Sequence, residues 1–207
     1  MDASYLVKML GEISKTMDEN RERLIELDSV AGDGDLGLTM TKGFRAAYDT
    51  AEASGEADAG RLLYNAGKAM SSAAPSTMGT LMALGLMQGG KVLKGKTDLA
   101  DEDIAAFFAT YEEAVMTRGK AKLGEKTFLD GFDPGVKAMK GALDAGDSLA
   151  EATKKAAEAA EEGFKAAKSM LAVHGKPAVK GEASREMDDP GACVAALIMQ
   201  AVAAASV

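Results

Sequence analysis

Amphipathic helical segments follow one another along almost the whole chain, and short polar breaks separate them. No stretch alternates apolar and polar residues as a half-buried strand would. Aromatic residues make up 5% of the sequence and Trp is absent, which favours helices because strands are rich in aromatic and β-branched residues. We therefore expect an all-α protein. The pattern predicts eight helices, over residues 3–27, 37–54, 58–74, 76–92, 101–118, 127–144, 148–172 and 190–205.

Length and charge narrow the class of protein further. The 207 residues carry no fixed repeat and no linker, so we expect a single domain over residues 1–207. A net charge of −8 argues against nucleic acid and anionic membranes as partners. The N-terminal residues do not have the pattern of a secretory signal, and the apolar stretch 191–207 is interpreted as a buried core helix. A single cysteine, Cys193, is typical of a reducing compartment, and we expect a cytoplasmic protein.

The densest chemistry lies in the run LDSVAGDGDLG, where Asp28, Asp33 and Asp35 are separated by glycines. Carboxylates supply the hard oxygen ligands that Mg²⁺ prefers, and glycines let the backbone turn around an ion. An EF-hand is excluded, because a calcium loop counted from Asp33 would place Leu38 at the required glycine and Phe44 at the required Glu. Two interpretations stay open, a metal site and a solvated acidic turn.

Helix starts provide a second kind of signal. The acidic run leads into the predicted helix that contains Leu38–Gly43, and free amides at a helix N-terminus attract phosphate. Together with the acids, this start predicts a nucleotide diphosphate site with bound Mg²⁺. The segment Pro75–Thr80 also begins a helix and offers Thr77 as a phosphate contact. Its simpler interpretation is an N-cap made by Ser76 or Thr77.

Loop position connects these segments with two others, residues 119–130 and 174–191. In an up-and-down bundle, alternate connections meet at one end, so the first, third, fifth and seventh breaks should lie together. His174 is the only histidine, and we interpret it as incidental because no partner is identifiable in the sequence. Cys193, in an apolar run, is interpreted as a packing residue.

Four motifs resemble the ADP-binding L subunit of dihydroxyacetone kinases. They are LDSVAGDGDLGLTMTKGF, PSTMGTL, RGKAKLGEKTFLD and DDPGA, and the resemblance spans nearly the whole chain. It implies an eight-helix antiparallel up-and-down barrel that holds Mg²⁺ and ADP at one end. Asp28, Asp33 and Asp35 are then the ligands of two magnesium ions.

The resemblance also implies residues for the nucleotide. The phosphate contacts would be Leu36, Gly37, Leu38, Thr39, Thr77 and Met78, the adenine would lie between Gly119 and Phe128, Asp189, Pro190 and Gly191 would close the pocket, and Lys176 would lie near the phosphates. Four positions depart from the common family pattern. Leu36 replaces a frequent histidine, Met78 a small hydroxyl residue, Phe128 a methionine and Lys176 an arginine, and the last change exchanges a planar bidentate donor for a point charge.

The implied activity needs partners. A separate K subunit would hold dihydroxyacetone, and a histidine-phosphorylated M subunit of a phosphoenolpyruvate-dependent phosphotransferase system would phosphorylate ADP that stays bound to this chain. We assign no catalytic acid or base in the chain itself. Two alternatives stay open. The chain could be the nucleotide subunit of an ATP-dependent kinase for a short ketose such as a tetrulose, or a non-catalytic barrel that binds an apolar ligand.

Overall fold

The computed structural model describes residues 1–207 and contains helices but no strand; Asp2 and Asp98 form an isolated β-bridge. The all-α prediction is confirmed. The α-helices are α1 (Ala3–Glu19), α2 (Arg21–Ser29), α3 (Leu36–Ser54), α4 (Ala59–Ala73), α5 (Thr77–Gly89), α6 (Asp101–Gly119), α7 (Phe128–Asp144), α8 (Leu149–Ala167) and α9 (Pro190–Ala205). Two 3-10 segments cover Gly90–Leu93 and Lys176–Glu186.

The helices form a closed ring in which each packs against the next, and α9 returns to pack against α1. Both α1 and α2 lie against α3, so together they occupy one of eight positions. The prediction of one continuous helix over residues 3–27 is therefore wrong, because Asn20 separates two helices, α1 and α2. Asn20 leaves helical geometry at φ −102° and ψ 11°, and its side-chain amide donates to the carbonyl of Thr16 at 2.9 Å. An Asn that competes for a backbone acceptor in this way interrupts a helix.

Apolar side chains fill the interior of the ring in one cluster of 51 buried residues. The helix α9 contributes heavily, since it is almost wholly buried against α1, α7 and α8. The prediction of a C-terminal core helix is confirmed, and Cys193 is buried within it. None of the helices combines the length and the apolarity that a membrane crossing would require.

Two predicted helix ends lie too far along the chain. The helix α5 stops at Gly89 and continues as the 3-10 segment Gly90–Leu93. The helix α8 stops at Ala167 instead of residue 172, and the carbonyl of Lys168 accepts a hydrogen bond from the Lys126 ammonium at 2.5 Å. A carbonyl that is engaged by a side chain from another loop is typical of a helix end.

Candidate functional site

Three carboxylates converge in the short loop between α2 and α3. Oxygen atoms of Asp28, Asp33 and Asp35 all lie within 4.8 Å of one another. Gly32 and Gly34 lie between these acids, and a side chain at either position would cause a clash or backbone strain. A side chain at Gly32 would clash with the Asp28 carboxylate, and Gly34 has a left-handed φ of +71° that favours glycine. The loop therefore brings together three acids that a random turn would disperse.

The same loop leads into the first turn of α3 and forms a hydrogen bond with it. Asp28 Oδ2 accepts a hydrogen bond from the Leu36 amide at 3.4 Å. Asp35 occupies the N-cap position, yet its side chain accepts no bond from the helix. The Asp35 carboxylate is exposed, and the amides of Gly37 and Leu38 have no acceptor within the helix. Gly37 and Thr39 are buried and Leu38 is exposed. Gly37 packs closely against α2, where a Cβ built on it would lie 2.3 Å from the Arg21 carbonyl oxygen.

Charge in the cluster is unbalanced. Lys176, from the 3-10 segment Lys176–Glu186, forms an ion pair with Asp33. Its hydrogen bond lowers the pKa of Asp33, and the same bond raises the pKa of Lys176. Burial, followed by the negative charges of Asp33 and Asp28, raises the pKa of Asp35. Three carboxylates with one ammonium leave an excess of negative charge, and an all-oxygen donor set with this excess fits Mg²⁺.

The start of α5 lies at the same end of the ring. Ser76 caps this helix, because its Oγ accepts from the Gly79 amide at 3.0 Å, so the N-cap interpretation of the segment is confirmed. Thr77 is exposed and Met78 half-buried. The last residue of α6, Gly119, lies beside the first turns of α5, since a Cβ built on it would be 3.8 Å from the Leu81 side chain.

The α6–α7 and α8–α9 connections meet beside this end of the ring. The Phe128 ring is 4% exposed and packs against Phe132 at a centroid distance of 4.7 Å, which places it mostly in the core. A Cβ built on Gly191 would lie 3.0 Å from the Phe128 amide nitrogen, so the chains approach closely there. Asp189 caps α9, where Pro190 is the first residue, and accepts from the Ala192 amide at 2.6 Å. Burial raises the pKa of Asp189 to about 7.

Sequence reasoning missed the contacts that hold these two connections together. His174 is not without a partner, as its Nε2 lies 2.7 Å from Glu125 Oε2. The Lys126 ammonium donates to the carbonyls of Lys168 and Met187. The four-residue pattern from Thr127 to Asp130 is a capping box that begins α7, and it is a signal that could have located the loop's structured end. Nothing in the sequence marks Lys126 among the other lysines.

The sequence matches the DAK2 domain over residues 30–204. The chain belongs to this family. The ADP-binding subunit DhaL of the PEP-dependent dihydroxyacetone kinase of Escherichia coli is 27% identical over 206 residues, and the match covers 100% of this chain and 98% of that subunit. The L-erythrulose 1-kinase of Mycolicibacterium smegmatis is 34% identical over 205 residues, covering 97% of this chain and 35% of that kinase. The resemblance to dihydroxyacetone kinase L subunits is thereby confirmed.

Solved structures share the fold of this DAK2-domain chain. The native dihydroxyacetone kinase of C. freundii superposes with a TM-score of 0.72 at 20% identity, over 96% of this chain and 34% of that one. The same kinase was also solved in complex with AMP-PNP and Mg²⁺, and that structure superposes with a TM-score of 0.71. The chain thus spans nearly all of the E. coli subunit but about a third of the erythrulose kinase and of the solved kinase.

Proposed function

We propose that this chain is the ADP-binding L subunit of a phosphoenolpyruvate-dependent dihydroxyacetone kinase and works as one nucleotide-binding domain over residues 1–207. The observation that carries the proposal is the cluster of three carboxylates within 4.8 Å at the start of α3. It occurs in a chain that matches 98% of the length of a subunit named for ADP binding. An acidic loop joined to a helix N-terminus is suited to a metal-bound diphosphate.

The proposed roles follow the geometry of the loops. Asp28, Asp33 and Asp35 would hold two magnesium ions, which would neutralise charge that develops on the transferred phosphoryl group. The first turn of α3, Leu36 to Thr39, would lie along the phosphates, and its amides without an acceptor, those of Gly37 and Leu38, would orient them. Thr77 and Met78 at the start of α5 would do the same. Lys176, already beside Asp33, would contribute a positive charge to the same end.

The remaining residues would enclose the base. Gly119 lies next to the start of α5, and Phe128 lies where the α6–α7 and α8–α9 connections approach each other, so these two residues would flank adenine. Asp189, Pro190 and Gly191 would close the pocket at the first turn of α9. The absence of a side chain at Gly119 leaves space for a flat ring there.

The chain would act with partners and would not catalyse alone. A separate K subunit would carry dihydroxyacetone, and a histidine-phosphorylated M subunit would supply the phosphoryl group, all in the cytoplasm. The residues of this chain would bind and orient the nucleotide, which is most of what a protein contributes to phosphoryl transfer. No general base is assigned to it.

Nucleotide content after purification tests this proposal. The wild-type protein should retain ADP, measured by chromatography of the denatured extract, and Asp33→Ala should lose it while its circular dichroism stays helical. Asp49→Ala is the matched control, since Asp49 is an exposed acid of α3, the helix that follows the acidic loop, and this variant should retain ADP. Equal ADP content in wild type and Asp33→Ala would contradict the assignment of the acids.

A second candidate function is the nucleotide domain of an ATP-dependent short-ketose kinase. The observation in its favour is the 34% identity to L-erythrulose kinases of Mycolicibacterium smegmatis and Pectobacterium atrosepticum. Nucleotide that exchanges within a desalting step, and phosphorylation of a ketose from ATP without phosphoenolpyruvate components, would favour this candidate. Nothing in the structure favours an apolar ligand inside the ring, whose interior is filled by the buried cluster.

A further inference from the structure

Lys126 has an unusual place in the fold. It lies in the α6–α7 connection with a left-handed φ of +59°, one of two non-glycine residues with positive φ in the chain. It is also 2% exposed, although lysine is rarely buried. A strained backbone and a buried ammonium both cost free energy, so the surrounding contacts must offset them.

Those contacts join both ends of one long connection. The Lys126 ammonium donates to the carbonyl of Lys168 at 2.5 Å and to the carbonyl of Met187 at 2.6 Å. Lys168 follows the end of α8 and Met187 precedes α9. One nitrogen therefore holds the start and the end of the α8–α9 connection together. The segment has adjacent ends and internal bonds, as the shorter compact loops known as Ω-loops do, and we refer to it as the Ω-loop.

The Ω-loop, residues 168–187, also has internal and outward contacts. Inside it, the Ala172 amide donates to Ser184 Oγ at 3.1 Å, and Arg185 Nη1 donates to the Ser169 carbonyl at 2.8 Å. At its far side, Lys176 forms the ion pair with Asp33 of the acidic loop. The Ω-loop consequently reaches from Lys126 to the carboxylate cluster.

Negative charge near Lys126 completes the arrangement. Asp189 and Asp188 both act on the ammonium electrostatically, against the burial that lowers its pKa. Asp189 is the N-cap of α9, and Phe128 lies two residues after Lys126 in the chain. The Lys126 ammonium therefore bonds both ends of the Ω-loop. It does so close to the place where the α6–α7 and α8–α9 connections approach each other, at Phe128 and Gly191.

We propose that Lys126 is a positioning residue that closes the Ω-loop over the nucleotide end of the ring and thereby sets how slowly bound nucleotide leaves. The inference rests on the proposed nucleotide-binding function and names a residue for it. Loss of the ammonium would remove the donor from the carbonyls of Lys168 and Met187, whose hydrogen bonds to Lys126 are partly buried. An outward movement of the segment would let water replace that donor. Opening of the Ω-loop would carry Lys176 away from Asp33 and expose the pocket.

Stopped-flow release of a fluorescent ADP derivative tests this role directly. The complex with Mg²⁺ is chased by excess unlabelled ADP, at a temperature where circular dichroism shows every variant fully folded. Lys126→Met should release nucleotide at least about tenfold faster than wild type, which corresponds to one lost hydrogen-bonded charge. Lys126→Arg, which keeps the charge and several N–H donors, should restore slow release.

The control is Lys122→Met, an exposed lysine of the same connection, which should release at the wild-type rate. If Lys126→Met does not fold, Lys126→Gln keeps amide donors without the charge and should show faster release of the same direction. Release from both variants at the wild-type rate, with or without a lower melting temperature, would show a purely structural lysine and overturn the inference. Absence of nucleotide binding in the wild type would overturn the proposed function as well.

Discussion

The acidic loop, with Asp28, Asp33 and Asp35, contrasts with the Lys126 junction, a name we use for the Lys126 ammonium, the carbonyls of Lys168 and Met187, and Asp189. Both are clusters of charge at one end of the ring, but they differ in burial and in pairing. In the acidic loop, Asp33 and Asp35 are exposed, and Lys176 is the ammonium that approaches them. At the junction, Lys126 and Asp189 are buried, and each has hydrogen-bond partners in the backbone. The acidic loop has more negative than positive charge, whereas Lys126 and Asp189 at the junction have hydrogen-bond partners.

The difference separates groups that bind from groups that hold the fold. Buried polar groups are found with their hydrogen bonds made, because an unmade bond inside a protein is costly. Exposed like charges can remain unpaired at lower cost, since water screens them. Excess charge in the acidic loop therefore leaves room for a cation, whereas the hydrogen bonds of the Lys126 junction connect separate parts of the chain.

Removing one charge from the acidic loop is the strongest test of whether the two clusters differ in role. Asp35→Asn should lower the affinity for the Mg²⁺ complex of ADP by about 100-fold or more, because a carboxylate ligand is lost. The metal-free variant should become more stable, by about 0.5 kcal/mol after allowance for solvent screening, since burial, followed by repulsion from Asp33 and Asp28, raises the pKa of Asp35. Titration calorimetry and thermal unfolding measure the two effects.

For Asp35→Asn, the result that supports a binding role is weaker binding of the Mg²⁺ complex of ADP together with higher stability without metal. The control Asp49→Asn changes an exposed carboxylate elsewhere on α3 and should alter neither quantity. A variant at position 35 that is destabilised without metal would show that this carboxylate supports the fold, and the two clusters would then no longer differ.

A third group of carboxylates, Glu112 of α6 and Asp133 of α7, is intermediate between the exposed acidic loop and the buried Lys126 junction. Burial, followed by the charge of Asp133, raises the pKa of Glu112 from 4.5 to about 7, while Lys137 pairs with Asp133 at 2.9 Å. A folded-state pKa above the unfolded value means that stability falls as the pH rises from about 4.5 to about 7. Glu112→Gln should remove this loss and raise stability at pH 8 by about 1 kcal/mol, after allowance for solvent screening.

Chemical denaturation at several pH values measures this effect. The gain from Glu112→Gln should vanish near pH 4, where the wild-type carboxyl is protonated. Glu113→Gln, an exposed change on the same helix, should show no pH-dependent difference. A gain of the same size at pH 4 and pH 8 would rule out titration of Glu112 as its cause.

The smallest effect is expected from the hydrogen bond between His174 and Glu125, close to Lys126. His174 Nε2 and Glu125 Oε2 lie 2.7 Å apart, and both side chains are partly exposed. His174→Ala should lower the free energy of unfolding by about 0.5 kcal/mol, as is typical of solvent-accessible pairs. Urea denaturation beside Lys180→Ala, an exposed residue of the same Ω-loop, gives the comparison. A loss above about 2 kcal/mol would mean that His174, rather than Lys126, secures the loop.

Local patterns were sufficient to predict much of this protein. The scarcity of aromatic residues and the spacing of apolar residues predicted the all-α class, and the acids with their glycines predicted a carboxylate cluster that the structure brings together. The cap at Ser76 was also predictable. These features depend on residues within a few positions of each other, where helix geometry and backbone freedom leave few outcomes.

Long-range contacts were beyond the sequence. The early end of α8 coincides with a hydrogen bond from Lys126, 42 residues away, and the partner of His174 lies 49 residues away at Glu125.

The sequence by itself determined the helices, the acidic loop and the family, because periodicity, glycine spacing and motifs are local. Only the tertiary structure decided that Lys176 reaches Asp33 and that Lys126 is buried between Lys168 and Met187. The physical reason is that an ammonium on a long, flexible side chain can pair with any oxygen in reach. Packing of the ring decides which oxygen that is.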